Sequence, residues 1–547
     1  MTRRVRPSWR VGLLLAAALT VPLLPPHPTA EPAARLAGSG AAARPNIVFV
    51  LTDDQTIDSM TAMPYLRSHP GGHWVEFSNA VDHTPLCCPS RATILSGQYN
   101  HVTGVLQNGY GSSFRDTDTI ATWLQGAGYR TGLFGKYLNF YPWAKGATYI
   151  PPGWSSFVAF QQVGGYFDYD LNVNGRSTHY GTTAADYSTD VLAGKAAEFI
   201  RTSTSPFFLY YSTAAPHLPA DPAPRHANAF ADLTMPRSPN FNEADVSDKP
   251  IVVRQLPLLT AAEAAEQDRL RRQQYRSMLA VDEAIAKLVD TLTTAGKLDN
   301  TVLVFMTDNS IALGEHRWEL KGCAYEECLR TPLLIRFPSS SAGTRTVPAQ
   351  VSSVDLAATF AELGGARPSI HQDGLSLVPL LKGTASTWPS DVLLEYHKPK
   401  RDEFWGLRSP RWKYVEWVYT GEREVYDLVR DPYELQNQAG KAAYAGVQKE
   451  LAADLARLRR GSHDTAPDVS ITAGPAANTS SHTATFSFAA DETSARFTCS
   501  LDGGAAAACT TGTSYSQLSS GAHSVSVAAT DPTGNSGRGG TWRWTIS

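Results

Sequence analysis

Apolar residues gather along the chain in two distinct patterns. Continuous apolar runs occupy residues 46–51, 131–134, 207–211 and 302–306. Runs of this length without polar alternation suit strands of a parallel sheet covered on both faces. Between them the spacing turns helical. Residues 119–124 form a short helical stretch that ends at Gly126 and Gly128. Thr260-Ala261-Ala262-Glu263 is a capping-box pattern that opens a long helix running to Gly296. Within it Tyr275, Met278, Leu279, Ile285, Leu288, Val289 and Leu292 recur at helical spacing and mark a core-facing stripe. Strands alternating with helices predict an α/β domain with a mostly parallel central sheet flanked by helices.

The pattern changes near residue 391. Aromatic segments at 405–407, 412–418 and 424–428 predict a small C-terminal antiparallel subdomain, followed by a helix over 442–459. Residues 462–467 form a linker. Beyond it, 485–488, 497–501, 524–528 and 542–546 alternate with period two between turn residues. That predicts an all-β sandwich, and the segment resembles the immunoglobulin-like modules appended to many bacterial secreted proteins. At the other end, Arg3, Arg4, Arg6 and Arg10 precede an apolar run over 11–24 and the small-residue site Pro28-Thr29-Ala30. This is the pattern of a cleaved signal peptide and predicts a secreted, extracellular protein. The run is shorter than the roughly 20 residues a membrane span needs, so no membrane association is expected. The expected organisation is a signal peptide at 1–30, a disordered leader at 31–44, the main domain at 45–390, the subdomain at 391–461, the linker at 462–467 and the β-module at 468–547.

Charge adds an exclusion. A net charge of −3 without a basic stripe argues against nucleic acid as a partner. The six cysteines fall in three close pairs. Cys87 and Cys88 are adjacent, and the geometry of a bridge between neighbours is strained. Cys499/Cys509 and Cys323/Cys328 are disulfide candidates in an oxidising compartment, with two buried thiols as the other reading of Cys323 and Cys328.

Candidate chemistry sits directly after the apolar runs. Asp53-Asp54 follow the first and Asp308-Asn309 the last. Ligands of open α/β sheets bind at the carboxyl ends of strands. Three carboxylates and an amide are hard oxygen donors, suited to Ca²⁺ or Mg²⁺ rather than zinc. Each pair alone is also what a helix cap or turn would use; both at one sheet edge is the stronger pattern. Cys87-Cys88-Pro89-Ser90-Arg91 then places a cysteine where Pro89 favours a first helical turn, against the free N–H groups of a helix start.

That stretch, continued by Leu95-Ser96-Gly97, resembles the formylglycine signature of the sulfatase family, within the alkaline-phosphatase-like superfamily. Pro45 to Asp54 resembles the family's opening strand, Gly135-Lys136 its first active-site lysine, and Pro216-His217-Leu218-Pro219 its Pro-His-x-Pro turn. Thr307-Asp308-Asn309 resembles its second metal pair, and Gly314-Glu315-His316 leads to its second lysine, Lys321. Tyr426-Asp427-Leu428 with Asp431-Pro432 and Glu434 resembles its terminal subdomain. The resemblance spans residues 45 to 460 in the family's order.

It implies that Cys87, not Cys88, is oxidised to formylglycine (3-oxoalanine) by a maturation enzyme. Asp53, Asp54, Asp308, Asn309 and modified Cys87 would hold the cation. An aldehyde hydrate at position 87 would attack sulfur and later collapse to release sulfate. Lys136, Lys321, His217 and Arg91 would offset charge, with His217 or Lys321 protonating the alkoxide. Arg91 is expected to orient the hydrate, and His316 to be structural. Gly-Lys-Tyr-Leu-Asn at 135–139, Tyr149-Ile150-Pro151-Pro152-Gly153-Trp154 and Asn240-Phe241-Asn242 resemble N-acetylglucosamine-6-sulfatases and extracellular heparan endosulfatases. In that reading Asn139 hydrogen-bonds sulfate or sugar, and the substrate is a sulfated sugar such as N-acetylglucosamine 6-sulfate. The segment 308–321 is closer to a generic or iduronate-type pattern, with Ser310 where glycine is common. The alternatives are a phosphonate monoester or phosphodiester hydrolase sharing the same groups, and an inert secreted glycan-binding protein. The β-module is expected to be a spacer, or else a glycan or cell-wall contact.

Overall fold

The computed structural model describes residues 44–547 except 143–144, 163, 205, 339–342, 387, 399–401, 462–468, 491–494 and 531–539. The expected signal peptide, the leader up to residue 43 and the linker lie outside the described residues.

Ten strands form the main sheet: β1 Asn46–Thr52, β2 Trp74–Val81, β3 Arg130–Gly135, β4 Ser156–Phe160, β5 Tyr169–Val173, β6 Arg176–Tyr180, β7 Phe207–Ser212, β8 Thr301–Thr307, β9 Leu333–Arg336 and β10 Arg345–Ser352. Their order is β10-β2-β9-β8-β1-β7-β3-β4-β5-β6. All four sequence-predicted runs fall in the contiguous parallel centre β8-β1-β7-β3. The margins differ from the expectation, because β9 runs antiparallel to both β8 and β2, and β5 to both β4 and β6. The sheet is therefore mixed, with a parallel core.

The continuous apolar runs have a direct cause. Along β1, Ile47, Phe49 and Leu51 enter one core layer, with Ile94 and Leu95 of helix α1 (Cys87–Ser96), Leu124 of α2 (Ile120–Gly126) and Phe360 of a later helix. Val48 and Val50 enter the opposite layer. There they meet Leu192 and Ile200 of α3 (Ser188–Thr202) and Met278, Val281, Ile285 and Leu288 of α4 (Ala261–Thr294). Every second residue of a strand faces the same side, so burial on both sides demands an uninterrupted apolar sequence. Helix α4 begins as predicted: the Thr260 N–H donates to Glu263 Oε2 at 2.7 Å, and the Glu263 N–H donates to Thr260 Oγ1 at 3.3 Å. Its predicted stripe is buried apart from half-buried Leu279. No helix among the described residues is long and apolar enough to cross a membrane.

A four-stranded antiparallel meander follows, built from Val392–Tyr396, Phe404–Arg408, Trp412–Trp417 and Arg423–Asp427. Helix Ala445–Gly461 packs Leu451 and Leu455 against its Leu393, Leu407, Tyr414 and Val425. The C-terminal segment forms a three-stranded and a five-stranded sheet. Phe486 and Phe488 of the first share a core with Cys499, Val525, Val527 and Trp544 of the second. Both predicted disulfides are present, Cys323–Cys328 and Cys499–Cys509, while Cys87 and Cys88 are free and buried.

Candidate active site

Because β8, β1, β7 and β3 run parallel, their carboxyl ends share one sheet edge, and the residues following each strand converge there. Asp53 and Asp54 follow β1, Lys136 follows β3, His217 lies in the turn after β7, and Asp308 and Asn309 follow β8. Thr52 and Thr307 are register partners, which brings the two acidic pairs side by side. The Asp308 N–H donates to Thr52 O at 3.0 Å, and the Asp54 N–H to Asp308 Oδ1 at 3.2 Å. Lys136 is delivered by an unusual backbone. Gly135 has φ +125°, and a Cβ there would lie 1.6 Å from Ser212 O, so only glycine lets β3 and β7 close beneath Lys136.

Helix α1 aims its N-terminus at this edge, with Cys87 as its first residue. The Cys87 Sγ lies 3.5 Å from Asp53 Oδ1 and 3.7 Å from Asp54 Oδ1. Lys321, from the loop after the short hairpin of Ala312–Leu313 and Glu319–Leu320, donates to Cys87 Sγ at 3.0 Å and to Asp54 Oδ1 and Oδ2 at 2.8 and 2.7 Å. Lys136 Nζ pairs with Asp53 Oδ2. Arg91, one turn into α1 and fully buried, donates from Nε to Asp308 Oδ2 at 2.7 Å and from Nη1 to Ser212 Oγ at 2.7 Å and Lys136 O at 3.0 Å. His217 Nε2 lies 3.5 Å from Asp54 Oδ2, while Nδ1 faces Leu218 O at 2.7 Å. With Nδ1 facing that carbonyl, Nε2 is the ring nitrogen turned toward the acidic pair.

The electrostatics follow from burial and pairing. Burial alone would raise Asp53, but Lys136, His217, Arg91 and Lys321 hold it well below the usual carboxylate range. Lys321 and His217 lower Asp54 against the effect of burial. Asp308 is pushed up to about 6 by burial and by the Asp53 charge, against the pull of Arg91. Burial drives the Cys87 thiol far up despite Lys136 and Lys321, so the unmodified side chain is a protonated, weak nucleophile. Burial likewise raises Cys88 to about 11, as expected of an inert thiol.

The donor set fits a hard divalent cation. Asp53, Asp54, Cys87 and His217 each offer a ligand atom, all within 4.8 Å of one another. Asn309 Nδ2 donates to Asp54 Oδ1 at 2.6 Å, which turns its Oδ1 away as a buried acceptor without a hydrogen bond among the described residues. Such an orphaned oxygen beside three carboxylates suits a cation.

Every predicted metal or catalytic residue is thus brought to one edge. Asn139 lies buried three residues beyond Lys136, where the Cys88 thiol turns to its backbone. His316 is placed apart from the nucleophile. Its ring stacks on Tyr325 at 4.0 Å and bonds Glu243 at 2.6 Å and Asn240 at 3.0 Å, a structural anchor for the loop carrying Lys321. Sequence reasoning missed three supporting residues. Ser212, the polar end of an apolar strand, accepts from Arg91. Gln274 of α4 donates from Nε2 to Asp54 O at 2.9 Å. Tyr166 donates from its hydroxyl to His217 O at 2.6 Å. None carries a local signal beyond, for Ser212, its place at a strand's carboxyl end.

Comparison with known proteins agrees with this geometry. A family profile described as Sulfatase matches residues 45–366, and one described as N-sulphoglucosamine sulphohydrolase, C-terminal, matches 314–461. The chain is 35% identical over 386 residues to the N-acetylglucosamine-6-sulfatase of Capra hircus, covering 66% of this chain and 69% of that protein. It is 34% identical over 371 residues to the extracellular sulfatase SULF-1 homolog of Drosophila melanogaster, spanning 64% of this chain but only 33% of that longer protein. Among solved structures, BT4656 in complex with its substrate D-glucosamine-2-N,6-O-disulfate superimposes with a TM-score of 0.68 at 28% identity, covering 77% of this chain and 98% of that one.

Proposed function

The chain belongs to the sulfatase family of sulfuric ester hydrolases, and from that premise we propose that it removes sulfate from a sulfated sugar of the N-acetylglucosamine 6-sulfate type. The observation that carries this reading is the convergence of Cys87, at a helix N-terminus, with Asp53, Asp54 and Lys321. Asp53, Asp54, Asp308 and Asn309, with modified Cys87, would hold the cation, Ca²⁺ or Mg²⁺. When bound, it supplies Lewis acidity at the sulfuryl oxygens and the nucleophile. Formylglycine made from Cys87 supplies, as its hydrate, a nucleophile and a route to sulfate release by carbon–oxygen cleavage.

The chain's own residues account for the rest. Lys136 and Lys321 stay charged, because Asp53 and Asp54 raise their affinity for protons against the effect of burial. They bind sulfate oxygens and stabilise charge that develops during transfer. Arg91 is locked to Asp308 and Ser212 and orients residue 87 rather than touching substrate. His217 presents Nε2 to the departing alkoxide and gives it a proton, its ring fixed through Nδ1 by Leu218 O. Asn139 would hydrogen-bond the sugar or its sulfate.

The relatives' names support the substrate class, since both N-acetylglucosamine-6-sulfatase and the disulfated-glucosamine complex involve 6-sulfated amino sugars. The basic, apolar N-terminus and the two disulfides support a secreted protein. We take 45–390 as catalytic domain, 391–461 as its terminal subdomain and 468–547 as an immunoglobulin-like spacer. Two measurements test the reading. Mass spectrometry of the peptide containing residue 87 should find sulfur replaced by an aldehyde oxygen, and Cys87→Ala should lose sulfate release from N-acetylglucosamine 6-sulfate. Persistent cleavage by that variant, or faster turnover of aryl phosphonates than of sulfate esters, refutes it.

A further inference from the structure

Two polar residues interrupt the apolar run of β2, and a cavity lies beside them. Trp74 of β2 and Leu334 of β9 belong to the core layer on the α4 side, and Val75 and Phe77 to the opposite one. Alternation along the strand puts Glu76 and Ser78 on the α4 side, where both are exposed. They border a cavity of about 480 Å³ whose other wall is supplied by residues between Ile57 and His69. None of the residues assigned above to the cation, the nucleophile or the sulfate lines it. The volume lies within the roughly 300–1,000 Å³ of small-molecule sites and suits one or two sugar rings.

The walls carry donors that the fold leaves unused. Among the described residues the exposed Arg67 side chain makes no hydrogen bond or ion pair, and half-buried Arg330 makes one long hydrogen bond, from Nη2 to Ser78 O at 3.4 Å. His69 Nε2 and Thr331 Oγ1 are buried atoms without a hydrogen bond among the described residues, and Thr331 is only 3% exposed. Buried polar atoms are ordinarily paired, so open donors around one cavity mark a place for a ligand rich in acceptors. Glu76 is the one lining carboxylate among the described residues. Arg330 also borders a neighbouring cavity, but the carboxylates there have nearer partners. Asp58 and Glu315 pair with Arg271, and Glu326 with Arg408 and Lys413. Glu327, the fourth, accepts from Asn240 at 2.9 Å, and burial raises its carboxyl against the pull of His316.

We propose that this cavity is a second glycan site, which binds an anionic sugar unit of the oligosaccharide whose sulfate ester is cut at the active site. The glycan's identity rests on the sugar-sulfatase reading above; the site itself is additional to the reaction. Arg67 and Arg330 bind a sulfate or carboxylate through charge-assisted hydrogen bonds. His69 and Thr331 donate to sulfate or hydroxyl oxygens, and Met60 and Leu334 offer apolar surface to the C–H groups of a ring. Glu76 accepts from sugar hydroxyls while repelling the anion.

The test measures equilibrium binding of a heparin-derived tetrasaccharide to Cys87→Ala protein, which cannot turn it over, by calorimetry at low salt. Replacing both arginines, Arg67→Gln with Arg330→Gln, should weaken binding about tenfold or more. Glu76→Gln should tighten it about two- to fivefold, the scale of an exposed charge contact, and a gain of this kind does not arise from misfolding. Binding at the active site alone would respond to neither change. In aldehyde-positive protein with Cys87 intact, the same replacements should leave kcat/KM for N-acetylglucosamine 6-sulfate within about twofold of wild type. No binding of the tetrasaccharide, an affinity unchanged by loss of both arginines, or an affinity not raised by Glu76→Gln overturns the inference, while the sulfatase reading stands on the monosaccharide. Arginine-dependent binding without sulfate release from the monosaccharide overturns that reading and supports the site.

Discussion

Replacing Gln274 by leucine isolates the contribution of α4 to the candidate metal site. Asp54 adopts a left-handed backbone conformation with φ 60°, which costs a residue other than glycine about 1–2 kcal/mol. Two hydrogen bonds from one buried side chain hold it there. Gln274 Nε2 donates to Asp54 O at 2.9 Å, and Gln274 Oε1 accepts from Thr56 Oγ1 at 3.2 Å. Leucine roughly preserves the volume, so the packing loss is small and the polar loss dominates. An unsatisfied buried acceptor costs about 1–3 kcal/mol, and Asp54 O loses its donor here, whereas Thr56 keeps a side-chain hydrogen bond to Asp58. With the backbone strain no longer opposed, residues 54–56 can relax and carry the Asp54 carboxylate away from Asp53 and Asn309. If between about 1.4 and 2.8 kcal/mol of that relaxation appears in cation binding, affinity falls roughly 10- to 100-fold. The assay is calorimetric titration of chelator-stripped protein with Ca²⁺ and, separately, Mg²⁺, alongside thermal melts. Gln273→Leu serves as the control, because the Gln273 side chain bonds Arg276 on its own helix. A Gln274→Leu protein that melts lower but binds cations within about twofold of wild type would show that Gln274 only packs the helix.

Other expectations follow from single contacts. Gly135→Ala drives a Cβ into Ser212 O, forcing β3 and β7 apart beneath Lys136; it should cost about 3 kcal/mol or more, and a melting temperature unchanged within error would refute the need for glycine. Asp373 is pushed up to about 7 by burial and by Glu395, against the Tyr99 N–H and His101. Its folded value lies above the usual 3.8, so its stabilising contribution is complete below that pH and is lost as pH rises through about 7. Asp373→Asn, which keeps an acceptor for the Tyr99 N–H, should therefore melt roughly 2–6 °C higher than wild type at pH 8 and equal it near pH 4. A constant difference across that range would contradict the assignment.

The legible and the hidden parts of the fold divide along physical lines. β1, β3, β7 and β8 are visible because burial on both faces writes an unbroken apolar run. β2 escapes because Glu76, Ser78 and Asn79 break its run, and β10 because Pro348 sits within a register shift between Val347 and Gln350. Val392–Tyr396 hides a fully buried Glu395, whose carboxylate is held by the Asn100 N–H at 2.6 Å and by His101 at 2.8 Å, partners nearly three hundred residues away.

For the site, local sequence picked out the candidate residues, since each lies in a short motif whose residue types suit an anion and a hard cation. Only the tertiary structure decided that they meet. Lys321 and Cys87 are separated by 234 residues, yet lie 3.0 Å apart. The cause is strand direction: β9 runs antiparallel to both β2 and β8, so β2, which leads to Cys87, and β8, which leads through the short hairpin to Lys321, end at the same sheet edge as β1, β7 and β3. The supports that fix the geometry, Gln274, Ser212 and Tyr166, act through single hydrogen bonds across the fold, and a hydrogen bond between distant segments leaves no periodic trace in the sequence.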